Sequence, residues 1–376
     1  MIITLFIITG LYLVIIYTLI FGLKKVKEFT STEIDSNIEF SIIIPFRNEE
    51  QNLPKLLTSI LALNYSEQQF ECLFVNDDSS DTSVETIHQY LKESTIAYEV
   101  LQNNRASNSP KKDAITTAIH QSKFDWIITT DADCSLPQKW LSEFAAFSTI
   151  NNSKMIVGPV MYLSDDFSFL EHFQILDILS LQGATIGGFG IGKPFLCNGA
   201  NLAYEKNTFL QLNGFDGNNT IASGDDIFLF EKFYETYPKQ VHFLKSTSAI
   251  AHTNAVKTWK ELINQRMRWA AKSSSYKLWF GKWVGLVVLL MNLCLIFSFI
   301  MVFIDRGNST NLLACIILKI GADTLLIQRT SYFYRGKSKK IRDLEFSSLF
   351  YPFFSVFIVL RTLFGKYTWK GRKFKK

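Results

Sequence analysis

Trp126-Ile127-Ile128-Thr129-Thr130-Asp131-Ala132-Asp133 decides how this chain is built. An apolar, β-branched run the length of one strand ends abruptly in two carboxylates one residue apart. Such a run fits a strand buried in a sheet rather than a surface turn. The residues upstream repeat a strand and a helix in alternation. Phe40-Ser41-Ile42-Ile43-Ile44 reads as a strand closed by Pro45, and Asn52 and Pro54 read as the N-cap and first turn of a helix. Phe70 to Val75, Ala97 to Leu101 and Trp126 to Thr130 read as three more strands, with helices over Thr82 to Glu93 and from Ser109-Pro110 onward. Alternation of this kind predicts an α/β fold, a mostly parallel sheet with helices on both faces.

In such sheets ligands bind beyond the carboxyl ends of the strands. The polar clusters fall there: Arg47-Asn48-Glu49 follows the first strand, Asp77 the second, and Asp131-Ala132-Asp133 the fourth. All three are expected to converge on one edge.

With 376 residues, 48% hydrophobic and only 19% charged, the chain is too long for one average domain and too apolar for a purely soluble one. Ile2 to Leu23 and Val284 to Ile304 carry no charged residue, and each is long enough to cross a bilayer. Asn311 to Gln328, interrupted by Lys319 and Asp323, and Phe346 to Gly365, with Pro352 and Arg361, are weaker candidates. The first run lacks the positive start and cleavage site of a signal peptide, so an uncleaved anchor is expected. Lys24, Lys25 and Lys27 then direct the following domain to the cytoplasm. The expected division is an anchor over 1–23, a catalytic domain over 38–255, an amphipathic interfacial region over 256–283, membrane helices over 284–365 and a basic tail over 366–376. Three spans after a cytoplasmic domain would leave that tail outside, so 311–328 or 346–365 is expected to be re-entrant or interfacial. Gly183 to Gly192 reads as a loop. The five unpaired-looking cysteines fit a reducing compartment. The net charge of +5 comes largely from C-terminal basic clusters beside apolar helices, which predicts contact with membrane lipids and no nucleic acid.

Five clusters carry the chemistry. Asp131 and Asp133 suit Mg2+ or Mn2+ held against a diphosphate, with Asp133 the direct ligand and Asp131 reaching the ribose or the metal through water. Asp77 at a strand end can accept hydrogen bonds from a nucleobase or ribose, although Asp81 and the serines around it also suit helix capping. Lys111 and Lys112 at a helix start oppose the helix dipole, which implies an anionic partner. Asp225 and Asp226 could merely favour a helix N-terminus. Alternatively Asp226 acts as general base, its pKa raised by its neighbour. Gln265-Arg266-Met267-Arg268-Trp269 offers guanidinium forks to a leaving diphosphate and a flat ring to a sugar or lipid. The histidines show no zinc spacing, and His252 reads as structural.

Taken in order, these clusters resemble the family 2 glycosyltransferases of GT-A fold, over about residues 38 to 275, and in particular the membrane-bound branch. Ile44-Pro45-Phe46-Arg47-Asn48-Glu49 is similar to the family's first-strand motif, which puts Pro45, Arg47 and Glu49 beside the nucleotide. Asp77 matches the second Asp of V-D-D-G-S, with Asn76 for the first and Asp78 for the glycine. Lys111 falls on a Gly-Lys element whose glycine is here Pro110. Asp131 and Asp133 match the DxD motif, Asp226 the general base, and Gln265, Arg266, Arg268 and Trp269 the QxxRW motif that binds acceptor and diphosphate. Asn213-Gly214-Phe215-Asp216 resembles the G-G-F-D turn near the acceptor. The resemblance implies a metal-dependent, inverting, multi-pass enzyme of the cytoplasmic (inner) membrane. It would move a sugar from a nucleotide-diphosphate donor to a lipid, lipid-linked or saccharide acceptor. A processive polysaccharide synthase and a non-catalytic nucleotide-sugar-binding membrane protein are the competing readings.

Overall fold

The computed structural model describes residues 2–31, 37–163, 168–218, 223–273, 275–304, 309–336, 344–365, 367–369 and 372–374. Helix α1 (Ile2–Lys25) leads into an alternating run: β1 (Phe40–Phe46), α2 (Leu53–Leu61), β2 (Phe70–Asn76), α3 (Ser83–Leu91), β3 (Ala97–Gln102), α4 (Pro110–Gln121) and β4 (Trp126–Thr129). Next come α5 (Trp140–Asn151), β5 (Met155–Val157), β6 (Val160–Leu163), α6 (Phe169–Gly190), β7 (Leu202–Glu205), α7 (Lys206–Gln211), α8 (Asp225–Thr236), β8 (Val241–Phe243) and β9 (Ala251–Asn254). The chain continues through α9 (Trp259–Ser273), α10 (Trp279–Ile304), α11 (Ser309–Arg335) and α12 (Leu344–Phe364), then a short antiparallel pair, β10 (Tyr367–Trp369) and β11 (Arg372–Phe374).

Seven strands form one sheet in the order β3-β2-β1-β4-β7-β5-β8, and β6 pairs with β9 in a second. The four strands of the alternating run are mutually parallel, as their pattern predicts, and β7 enters antiparallel between β4 and β5. Ile42, Ile43, Ile44, Phe74, Ile127 and Ile128 are wholly buried, because helices cover both faces. The register aligns the strand ends: Phe46 lies opposite Asn76, and Asn76 opposite Gln102. The Asp77 N–H donates to the Phe46 carbonyl and the Thr130 N–H to that of Ile43. Those two bonds deliver residues 47, 77 and 131 to a common edge.

Three expectations need correction. Gly183 to Gly192 is not a loop: α6 is helical through Gly190. Its glycines answer to packing rather than to flexibility, since α1 crosses α6 with the two backbones in contact. A Cβ on Gly187 would lie 2.4 Å from the Leu19 carbonyl oxygen, and one on Gly190 only 1.9 Å from that of Gly22. Small residues at a helix crossing are a membrane-helix device for close approach. Secondly, Asn52 holds the expected N-cap position of α2, but its side chain makes no capping bond; its amide donates to Glu49 Oε2 at 2.6 Å instead. Thirdly, the region 256–283 is not one interfacial helix. α9 ends at Ser273 and α10 begins at Trp279, ahead of Val284.

α9 is amphipathic as expected, and its apolar face is covered by protein: Trp259 packs within an aromatic cluster of Phe169, Phe173, Phe350 and Phe354. Among the described residues four helices, α1, α10, α11 and α12, are long and apolar enough to cross a membrane. The two weaker runs belong to unbroken helices of 27 and 21 residues, despite Pro352 inside the second. The basic segment Lys337 to Arg342, and much of the basic tail over 366–376, lie outside the described residues. All five cysteines are free.

Gly187→Leu should lower the stability of the detergent-solubilised protein by about 1–3 kcal/mol, the usual range for overpacking, because backbone cannot move aside as a side chain can. Thermal unfolding would measure it; an unchanged midpoint would contradict the close crossing.

Candidate active site

A small cavity of about 130 Å³ lies at the strand ends, lined by Pro45, Arg47, Glu49, Asp77, Lys111, Asp131, Asp133 and Arg268 among others. Eight of the residues singled out in the sequence thus meet in one place. On the β2 side Asp77 is held by Asn103 (2.8 Å) and by Arg105 Nε (2.6 Å), while Arg47 donates to its carbonyl at 2.7 Å. Asp78, which stands where the family has glycine, adopts φ 66. Aspartate tolerates that left-handed conformation better than most residues, so the turn survives the exchange. Asp81 accepts from the Ser83 N–H at the start of α3, in keeping with its capping role.

On the β4 side the chain turns through Asp131 and Asp133 and is then clamped to β9 by paired backbone bonds between Ser135 and His252. The clamp is made by the His252 backbone. Burial and the neighbouring Asp131 push the Asp133 carboxyl up to about 6, only partly offset by Lys111. Two carboxylates so placed would gain from a cation. Among the described residues no group of three or more His, Cys, Asp or Glu gathers round a point. That donor set fits Mg2+ or Mn2+, which completes its shell with phosphate oxygens and water. It does not fit a structural zinc.

Lys111, in the first turn of α4, bridges the two acidic clusters, with Nζ 2.7 Å from Asp131 Oδ1 and 3.1 Å from Asp225 Oδ2. Burial pulls its ammonium pKa down, but the carboxylates outweigh this and hold it well above the usual lysine value. Lys112 points elsewhere. It is buried, donates to the Asn218 carbonyl at 2.8 Å and lies over the Phe228 ring.

Asp225 and Asp226 occupy the first turn of α8, where exposed N–H groups favour carboxylates. The expected rise in the Asp226 pKa does not occur. Burial does push it up, but Lys272 Nζ, 2.9 Å from Oδ1, outweighs burial and keeps the carboxyl below the ordinary range. Oδ1 also accepts the Ile227 N–H at 2.7 Å, and Oδ2 makes no hydrogen bond among the described residues.

The Gln265–Trp269 motif is split by its own helix. Arg268 lines the strand-end cavity. Arg266 does not reach it: Nε and Nη2 each sit 2.6 Å from Asp177 Oδ2 on α6, the guanidinium stacks on Trp269 at 4.2 Å, and Gln265 accepts from it. Residues two apart on a helix point roughly 200° from each other, so one arginine faces the cavity and the other the helix bundle. Trp269 and Lys272, three apart, line a second cavity of about 430 Å³ that runs among α1, α6, α10, α11 and α12 and opens on Asp226. The Asn213–Asp216 turn lines neither cavity.

Two residues that contact the candidate site, Lys272 and Arg105, are not singled out by the sequence. Lys272 lies seven positions after Gln265 and four after Arg268, a helical spacing that placed it near the motif's face. Arg105 follows β3, whose neighbour β2 ends in Asp77, and that adjacency was its only signal.

The family model for glycosyl transferase family 2 matches residues 41–219, so that part of the chain is similar to this family. The protein named "Probable glycosyltransferase YdaM" from Bacillus subtilis (strain 168) is 24% identical over 233 residues, 61% of this chain and 54% of that protein. The undecaprenyl-phosphate 4-deoxy-4-formamido-L-arabinose transferase of Proteus mirabilis is 31% identical over 182 residues, 46% of this chain and 54% of that protein. The chain thus spans about half the length of these relatives. Among solved structures, a mannosyltransferase from Pyrobaculum calidifontis in complex with GDP-Man and Mn2+ superposes with a TM-score of 0.58 at 13% identity, covering 96% of this chain and 98% of that one. The fold is therefore GT-A, joined to apolar helices.

Proposed function

We propose that this protein is an inverting glycosyltransferase of the cytoplasmic membrane, with residues 38–255 as its cytoplasmic catalytic domain and a lipid as its acceptor. The observation that carries the reading is the position of Asp226. It stands between the strand-end cavity, to which Asp225 and Lys111 connect it, and the apolar cavity among the long helices. A donor nucleotide in the first and a lipid in the second would meet at this carboxylate. The mannosyltransferase with GDP-Man and Mn2+ and the undecaprenyl-phosphate transferase support a nucleotide-sugar donor and a lipid-linked acceptor. An apolar acceptor cavity favours a lipid over the growing saccharide of a processive synthase.

Asp77, with Arg105 and Asn103 fixing its orientation, would accept hydrogen bonds from the nucleoside. Arg47 and Glu49 would border it. Asp133, and Asp131 directly or through water, would hold Mg2+ or Mn2+ on the diphosphate. That cation, when bound, supplies electrostatic stabilisation of the departing diphosphate. Arg268 would neutralise further charge there. Asp226 Oδ2 takes the proton of the acceptor hydroxyl as its oxygen bonds to the anomeric carbon and the bond to the diphosphate oxygen breaks. One displacement inverts that centre and releases a nucleoside diphosphate. Lys272 acts as a positioning residue, keeping Asp226 ionised and turned toward the cavity.

Asp226→Asn should lower turnover about 10²–10⁴-fold, the usual contribution of a general base, while nucleotide binding persists. Radiolabelled sugar transfer to membrane lipid would measure it; unchanged transfer would remove the base assignment. Lys272→Met should move the acidic limb of the pH–rate profile to higher pH. The sign follows because Lys272 depresses the Asp226 pKa: without it the carboxylate protonates sooner as pH falls. Lys272→Arg should restore the wild-type limb, and a profile unmoved by Lys272→Met would contradict the pairing.

A further inference from the structure

The cavity that opens on Asp226 carries an acidic lining. Among the described lining residues the charged side chains are three aspartates, Asp177, Asp226 and Asp323, against one lysine, Lys272. Each acid already has its cation. Arg266 holds Asp177, Lys272 holds Asp226, and Lys319 holds Asp323 at 2.8 Å. Tyr12 of α1 donates to the remaining oxygen of Asp323, so that carboxylate is fixed from two helices. Ionisable groups inside apolar helices are costly, and where they persist they mark a functional site.

This balance bears on what the cavity can hold. A lipid ending in a phosphate would have to leave water with no free cation among the described lining residues to receive it, since Lys272 is committed to Asp226. An uncharged alcohol meets no such barrier. The other polar lining groups (Ser180, Gln182, Thr185, Ser347, Ser348) are neutral donors and acceptors suited to hydroxyl, ester or amide groups. One of them is unsatisfied: Ser347, only 4% exposed, has an Oγ with no hydrogen-bond partner among the described residues. A buried hydroxyl left unpaired costs free energy that a ligand carbonyl would recover. A volume of about 430 Å³ suits the head region of such a lipid.

We infer that the cavity holds an uncharged lipid alcohol of the diacylglycerol kind, and not a polyprenyl phosphate. Its free hydroxyl meets Asp226 Oδ2, and one of its carbonyls accepts from Ser347. The inference rests on the lipid-acceptor reading above and narrows it to one chemical class.

The test is photolabelling of the full chain in detergent micelles with a diazirine-bearing diacylglycerol, competed by dioleoylglycerol or by undecaprenyl phosphate. Labelling is expected to saturate, to fall by about tenfold or more with excess dioleoylglycerol, and to be unaffected by the phosphate. Ser347→Ala should weaken the apparent affinity about 2–10-fold, the worth of one hydrogen bond, with binding of UDP or GDP in Mn2+ unchanged. Equal or better competition by undecaprenyl phosphate overturns the inference, as does labelling that never saturates. Sugar transfer to undecaprenyl phosphate would sink this narrowing while leaving the lipid-acceptor reading intact. Saturable diacylglycerol labelling with no sugar transfer from any donor would sink that reading and leave the cavity's ligand standing.

Discussion

Lys111 is the tie on which the site depends. A parallel sheet delivers carboxylates to one edge because every strand ends there, and those carboxylates repel one another as they are taken out of water. A single buried ammonium, shared between Asp131 and Asp225, compensates the two clusters at once and fixes their separation. It sits in the first turn of α4, a position a helix dipole disfavours for a cation. The surrounding acids reverse that preference. Without such a bridge the strand-end cluster and the α8 cluster would have no electrostatic reason to stay adjacent.

From that tie the rest of the architecture follows. Helix α9 forms a wall shared by two cavities of opposite character. Arg268 faces the polar one, with Asp133 and Lys111. Trp269 and Lys272 face the apolar one. Arg266 pins α9 to α6 through Asp177, and α6 is drawn against α1 through glycines that leave no room for a side chain. The sheet-bearing domain and the apolar helices are therefore mechanically one unit at the point where they meet. Under the proposed function, a sugar donor and a lipid would be presented to the same carboxylate without leaving the protein.

Much of this was legible in the sequence, and the failures share a cause. The strands of the alternating run, the strand-end clusters and Asp226 could be read because each is specified locally, by apolar runs with polar stops. Gly187 and Gly190 could not, since helical glycines look like a loop until the crossing helix α1 is known. Arg266 and Arg268 were indistinguishable because the phase of α9 is set by Asp177, 89 residues away in the chain. The Asp226 pKa was read upward from its neighbour Asp225, whereas the stronger influence is Lys272, brought in by tertiary packing. Local chemistry was readable; which face of a helix a residue takes, and which charges surround it, were not.

Calorimetric titration of UDP and GDP into the full chain, with Mn2+ and again with a chelator, bears most directly on the claim that the strand-end carboxylates receive a cation-bound diphosphate. Tight binding of one nucleotide in Mn2+, lost both in the chelator and in Asp133→Asn, is the result this account requires. Equal affinity with and without the cation, or in the substituted protein, would contradict it.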